Sequence, residues 1–200
     1  MPKRVSHRER RCEIIDALLQ TAGEEGLHAV SMRTVAAKAG VSLRQVQFYF
    51  GDKASLMQSA LERLEELSHA RWEQRKQQLP QTPTVRQHLE AFLEEALPTD
   101  EESRLFQRVW SAYAILAMND QELAKKPFVE GPKRLEKQLA TIFASGQERG
   151  ELLESIAPLI ESARLLALNH GLGMSVLVGQ RTPKQAMAIL HYHLDSIFKD

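Results

Sequence analysis

Ser31 to Lys53 reads SMRTVAAKAGVSLRQVQFYFGDK, and this stretch decides the fold. Met32 to Lys38 is a short run of good helix formers in which Val35, Ala36 and Ala39 share an apolar face. Ser31 stands where a side-chain oxygen caps the amino end. Gly40 ends this helix, because glycine takes the left-handed conformation that turns the chain sharply towards Val41. Ser42 then restarts it as the N-cap of a second helix from Leu43 to about Tyr49. Two short helices joined by a tight turn are the result.

The spacing also assigns the faces of the second helix. Val46 and Phe50 are four apart and stack towards the first helix. Steps of 100° per residue leave Arg44, Gln45, Gln47 and Phe48 outward, with Leu43 and Tyr49 at the edges. Arginine bonds both acceptors of guanine in the major groove and glutamine bonds the acceptor and donor of adenine, so Arg44, Gln45 and Gln47 are candidate base readers. An outward Phe48 calls for a partner, either a thymine methyl or sugar, or another protein surface.

These residues resemble the TetR family of transcriptional regulators. Val35-Ala36, Ala39-Gly40-Val41-Ser42, and Tyr49-Phe50 followed by Lys53 and Leu56 stand in that family's order and spacing. The resemblance implies a helix-turn-helix head followed by a larger helical body that encloses a ligand site and forms a homodimer. It departs at Gln47, where the family often has tyrosine, which implies an altered operator preference. The segment from Glu102 to Leu116, followed by Asn119-Asp120, resembles the BetI-type group of carboxy-terminal domains.

Composition agrees with a compact globular chain: 43% of the 200 residues are hydrophobic, with 10 Gly and 8 Pro. Overall charge is balanced, but its distribution is not. Residues 1–53 carry nine Lys and Arg against six Asp and Glu, and the other 147 residues carry 17 against 20. A basic head on an acidic body orients the molecule towards a phosphate backbone. The single Cys12 forms no internal disulfide, and no Cys/His cluster has zinc-ligand spacing. The basic amino terminus lacks the apolar run of a secretory signal, and Ile156 to Val178 is interrupted by Glu161, Arg164, Asn169 and His170. The expectation is a cytoplasmic protein without membrane spans, metal or cofactor.

Taken in order, the chain opens with a basic arm whose Lys3 and Arg4 either reach DNA or form a solvated tail. From His7 to Gly26, Ile14, Leu18 and Ala22 recur at four-residue steps, flanked by Ile15 and Leu19, and give a first supporting helix. Lys53 opens a helix to about Gln78, and its free first-turn amides make a phosphate clamp. The DNA-contacting set is therefore Lys3, Arg4, Ser31, Arg33, Ser42, Leu43, Arg44, Gln45, Gln47, Phe48, Tyr49 and Lys53.

Prolines 80, 83 and 98 bracket a helix from Thr84 to Leu97, and Thr99 or Asp100 caps the next. That one carries Leu105, Val109, Ala112 and Leu116 on one stripe and Phe106, Trp110 and Tyr113 on another. Pro127 and Pro132 break the chain before a helix from about Pro132 to Arg149 that buries Leu135, Leu139, Ile142 and Phe143. The helix from about Ser155 to Val178 has two apolar stripes, one with Leu159, Ala163, Leu166, His170, Met174 and Leu177, the other with Leu165, Leu168, Leu172 and Val176. Both sides need cover. The last helix, opened by Thr182-Pro183, carries a seam of Ala186, Leu190, Leu194 and Ile197.

The sequence thus predicts an all-α protein of about nine helices, with a three-helix head at residues 1–53 and a body at 54–200. Its partners are double-stranded DNA with a palindromic operator, a second copy of itself, and a small-molecule effector. The dimer interface is expected at Leu159, Ala163, Leu166, Leu177, Ala186, Leu190, Leu194 and Ile197. Phe106, Trp110, Tyr113, Phe143, His170 and Met174 either line a ligand pocket or are core. His191 and His193, two apart on a helix, point away from each other and suit no metal site. No Ser/His/Asp order, phosphate loop or carboxylate pair suits catalysis. The alternatives are a ligand-independent regulator or an activator of the same fold, or a helical enzyme or carrier that has lost DNA binding.

Overall fold

Short hydroxyl side chains set where this chain turns into helix. Five helices begin with a capping box in which a Ser or Thr accepts from the backbone N–H three residues on while that residue's side chain reaches back: Ser6, Ser31, Ser42, Thr84 and Thr182. The computed structural model describes residues 6–119 and 130–199. Lys3, Arg4, Asp120 and Pro127 lie outside the described residues.

The described α-helices are α1 (His7–Glu24), α2 (Met32–Lys38), α3 (Leu43–Phe50), α4 (Lys53–Gln78), α5 (Val85–Ala96), α6 (Glu101–Asn119), α7 (Glu130–Glu148), α8 (Pro158–Leu177) and α9 (Pro183–Asp195). A 3-10 turn, Leu27–Ala29, follows α1. Among the described residues the only extended pairing is an isolated antiparallel bridge between Leu152 and Phe198. The expected all-α architecture is observed, with most boundaries within a few residues. Helix α8 begins at Pro158 rather than Ser155, because the residue before a proline is held extended, as Ala157 is.

The chain divides into two compact units, Met1–Leu67 with Leu105–Ala124, and Ser68–Arg104 with Lys125–Asp200. The division therefore falls within α4 and α6, whereas the sequence reading set the head apart at residue 53. In the first unit α1 packs on α2 and α2 on α3. Ile14, Leu18 and Ala22 of α1, Val35 of α2, Val46 of α3, and Leu56 and Ala60 of α4 are fully buried. Val109 and Tyr113 of α6 are too, but Leu116 at the end of their helix is exposed.

In the second unit α7 packs on α8, α9 packs on α8 and α5, and α5 packs on α7. Val85, Leu89 and Leu93 of α5, Leu139 and Phe143 of α7, Leu165, Leu166, Leu172 and Val176 of α8, and Ala186, Leu190 and Leu194 of α9 form one core. This corrects the expected dimer seam. Leu166, Ala186, Leu190, Leu194 and Ile197 are buried inside their own chain, so they present no surface to a partner. Periodicity shows that such a stripe is covered, but not by which chain.

Polar contacts also join the elements of this unit. Glu95, buried on α5, accepts from Arg71 Nε at 2.8 Å, Arg75 Nε at 3.1 Å and Ser68 Oγ at 3.2 Å, tying the second part of α4 to α5. Glu161 of α8 and His193 of α9 are both buried, with Oε1 and Nε2 2.7 Å apart. His191, two residues before, is exposed, as the helical angle requires.

Candidate nucleic-acid interface

The turn between α2 and α3 is built by backbone bonds. Gly40, at φ 64°, donates to the Ala37 carbonyl at 3.2 Å and Val41 to that of Ala36 at 3.0 Å, the paired bonds of a Schellman motif, which needs the left-handed residue supplied here by glycine. Ser31 Oγ caps α2 by accepting from Thr34 N–H at 3.1 Å, and Thr34 Oγ1 accepts from Ser31 N–H at 2.9 Å while donating to the Ala29 carbonyl at 2.8 Å. The hydroxyls of both residues are thus occupied in holding the start of α2.

Ser42 Oγ accepts from Gln45 N–H at 3.2 Å, and Gln45 Oε1 accepts from Ser42 N–H at 3.0 Å. This corrects one assignment. The carbonyl oxygen that would receive adenine N6–H is committed to the cap, so Gln45 stabilises α3 instead of reading adenine with both groups. The signal was present as a serine followed three residues later by glutamine.

Along α3, Val46 and Phe50 are buried, Leu43 and Tyr49 half-buried, and Arg44 and Gln47 exposed. Phe48 is 75% exposed. Among the described residues Arg44 and Gln47 make no side-chain hydrogen bond or ion pair, which leaves their donors available. Arg33, on α2, is exposed.

What fixes α3 was not foreseen. Arg11 of α1 donates through Nη1 to the Tyr49 carbonyl at 2.8 Å and through Nη2 to Ser59 Oγ at 3.3 Å, and its guanidinium lies 4.6 Å from the centre of the Phe50 ring. One side chain thus joins α1, the carboxy end of α3 and α4. It supplies a positive charge where the last carbonyls of a helix are unpaired. No spacing rule connects residues 38 positions apart.

Lys53 and the start of α4 also differ from the expected clamp. Asp52 Oδ1 accepts from Ser55 N–H at 2.7 Å, so one of the first-turn amides is already satisfied by a carboxylate. Lys53 Nζ donates to the Val30 carbonyl at 2.6 Å, which places the ammonium beside the segment entering α2. Three donors leave it able to meet a phosphate as well. Lys38 is used internally, its Nζ 2.6 Å from Glu24 Oε2, and this bond holds the Glu24 carboxyl below its ordinary range.

The remaining candidates divide between the units. Tyr113 is fully buried on α6, with Phe106 and Trp110 half-buried on the same helix. Phe143 is fully buried in the core of the second unit. His170 and Met174 are exposed on α8, so of the two places expected for them, pocket or core, neither takes the core. Among the described residues no group of His, Cys, Asp and Glu is arranged to hold a metal ion, and no helix is long and apolar enough to cross a membrane.

Two family models match this chain. One, for bacterial regulatory proteins of the tetR family, covers residues 14–60, and the other, for the carboxy-terminal domain of BetI-type transcriptional repressors, covers 85–199. The chain belongs to the TetR family. Among similar proteins, the HTH-type transcriptional regulator PksA of Bacillus subtilis is 26% identical over 98% of this chain and 94% of its own length. The regulator BetI of Burkholderia ambifaria is 26% identical over 98% of this chain and 97% of its own. A transcriptional regulator of Saccharomonospora viridis, solved in complex with choline, shares the fold with a TM-score of 0.84 at 22% identity, over 97% of this chain and all of that one. SmeT, repressor of a Stenotrophomonas maltophilia multidrug efflux pump, shares it with a TM-score of 0.69 at 19% identity, over 95% of this chain and 91% of that one. Members of this family are DNA-binding transcriptional regulators, not enzymes.

Proposed function

We propose that this TetR-family regulator is a homodimeric repressor that holds a palindromic operator with two copies of α3 and is released when a small molecule binds its body. The observation that carries the DNA reading is the face of α3: a helix pinned from behind by Val46, Phe50 and Arg11 that offers Arg44, Gln47 and Phe48 outward. Arg44 suits guanine, Gln47 adenine and Phe48 a thymine methyl. Lys53 and Arg33 are assigned to phosphates, and so are Lys3 and Arg4 of the amino-terminal arm, where Coulomb attraction is independent of sequence.

The second copy is supported by large apolar side chains exposed along α8 and on α9. Leu159 and Ile160 of α8, Val178 at its end and Tyr192 of α9 are 59%, 70%, 68% and 78% exposed, and Met174 of α8 is exposed as well. A monomer would leave these large apolar side chains to water, and exposed apolar side chains gathered on one helix are the kind of surface a protein contact covers. Of the expected interface residues, Leu159, with the half-buried Ala163 and Leu177, stays in the proposal. Two-fold pairing would then present two heads to half-sites one turn apart, about 34–36 Å.

The effector is proposed to meet α6 through Phe106, Trp110 and Tyr113, whose ring faces suit an apolar or cationic compound. Its effect on DNA is limited to its unequal affinity for the bound and released conformations. Helix α4, continuous from Lys53 to Gln78, is the segment proposed to carry that change. The protein would act in the cytoplasm, where its DNA lies.

The test is fluorescence anisotropy with labelled duplexes tiled across the DNA flanking the gene, against random duplex. Tight binding to one palindromic stretch supports the proposal; weak binding indifferent to sequence opposes it. Adding compounds to the bound complex, choline first because a structural relative holds it, then tests release. Compounds that bind the protein yet leave operator affinity unchanged would remove the effector from the account.

A further inference from the structure

The first turn of α1 places an aromatic ring against the end of α3. His7 is exposed, and its imidazole stands edge-on to Tyr49, with ring centres 4.6 Å apart, and to Phe48, with centres 6.3 Å apart. Phe48 and Tyr49 are themselves edge-on at 5.3 Å. Three aromatic rings thus extend the outward face of α3 on to the start of α1.

We infer that His7 is a DNA contact: it donates to a backbone phosphate beside the groove that α3 enters, and braces Phe48 for that groove. This inference rests on α3 being the DNA-reading helix. The major groove is about 12 Å wide, so a side chain some 6 Å from one at the groove centre meets the strand that walls it. Phosphate oxygens only accept, and an imidazole N–H donates. Two edge contacts hold the ring beside the outward face of α3.

The acidic side chains near it on α1 are already paired and do not compete for its donor. On α3 the ring faces Phe48 and the Tyr49 phenol, with Arg44 one turn away. On α1, Arg8 lies beside it; Glu9 accepts from Ser6 N–H at 2.6 Å; Glu13 pairs with Arg10 at 2.7 Å; and Arg11 is turned to Tyr49 and Ser59.

Anisotropy titrations over a salt series at one pH test this, using random-sequence duplex and the tightest of the flanking duplexes with wild type, His7→Phe and His7→Lys. His7→Phe keeps a ring against Tyr49 but has no donor, and is expected to bind both duplexes about two- to fivefold more weakly than wild type, the range of a single exposed polar contact. His7→Lys restores a donor and should bind at least as tightly as wild type, with a salt slope steeper than that of His7→Phe by up to about 0.9. Equal affinities of wild type and His7→Phe on both duplexes, with DNA binding retained, would overturn the inference. No binding of any duplex by wild type would instead defeat the DNA reading beneath it.

Discussion

Replacing Arg11 by methionine tests whether α3 is held from behind rather than by DNA. The substitution keeps an unbranched apolar stem but removes the donor to the Tyr49 carbonyl at 2.8 Å, the longer one to Ser59 at 3.3 Å, and the cation over Phe50. A hydrogen bond involving a charged group contributes about 1.5–3 kcal/mol, and the bond to Ser59 belongs at the low end or below. The cation over the ring adds about 0.5–1 kcal/mol. Methionine recovers some packing, so the expected loss is about 2–4 kcal/mol, or roughly 30- to 900-fold more frequent opening of α3. Amide hydrogen exchange across α1 to α3 reads this directly. Because Arg11 is committed to the protein, the salt slope of DNA binding should stay that of wild type. Exchange within about 0.5 kcal/mol of wild type would refute the clamp. A slope reduced by about 0.9 would show that Arg11 contacts phosphate instead.

The remaining expectations concern contact, assembly and pH. Arg44→Ala should cost about 1–3 kcal/mol on the operator and relax preference at one base pair, whereas Lys53→Ala should weaken all duplexes alike; competition with single-base variants checks both. Phe48→Ala should leave thermal stability within about 0.5 kcal/mol because the ring is exposed, yet weaken operator binding. Replacing the contacted thymines by deoxyuridine, which lacks the methyl, should reproduce that loss. Ile160→Arg should yield folded monomers by light scattering and circular dichroism, whereas Leu190→Ala, in the core, should cost about 2–5 kcal/mol in urea unfolding. Burial holds the imidazole of His193 below the ordinary 6.5, with Glu161 opposing and Arg164 adding to the depression. Burial and Lys76 lower that of His88 likewise. Both favour the neutral form in the fold, so the unfolded chain binds more protons below that value. The melting temperature should therefore hold above about pH 6.5 and fall as the pH drops through it, less steeply in His193→Gln; a flat profile in wild type would contradict this reading.

Much of the head was legible because its rules are local. A serine before a helix, a glycine at a left-handed corner and a four-residue apolar step act within one or two turns, so Ser31, Gly40, Ser42, Val46 and Phe50 were placed correctly by spacing. The same rules, applied fully, would have assigned Gln45 to the cap, because the box pattern was there to read.

The parts that failed depend on contacts distant in the chain. Periodicity gave Ala186, Leu190 and Leu194 a buried stripe, but only the docking of α9 on α8 and α5 decided that the cover is the chain itself. Arg11 and His7 look like two more charged or polar residues of a basic amino terminus until folding brings them to Tyr49 across about forty positions. The sequence by itself determined which segments are helical, to within a few residues where they start, and which faces are apolar, since those properties are set by backbone bonding and side-chain pitch within a few residues. Tertiary structure alone decided which apolar face meets its own chain and which residues aim α3, because both depend on the position of a second helix, and local energetics do not specify that position.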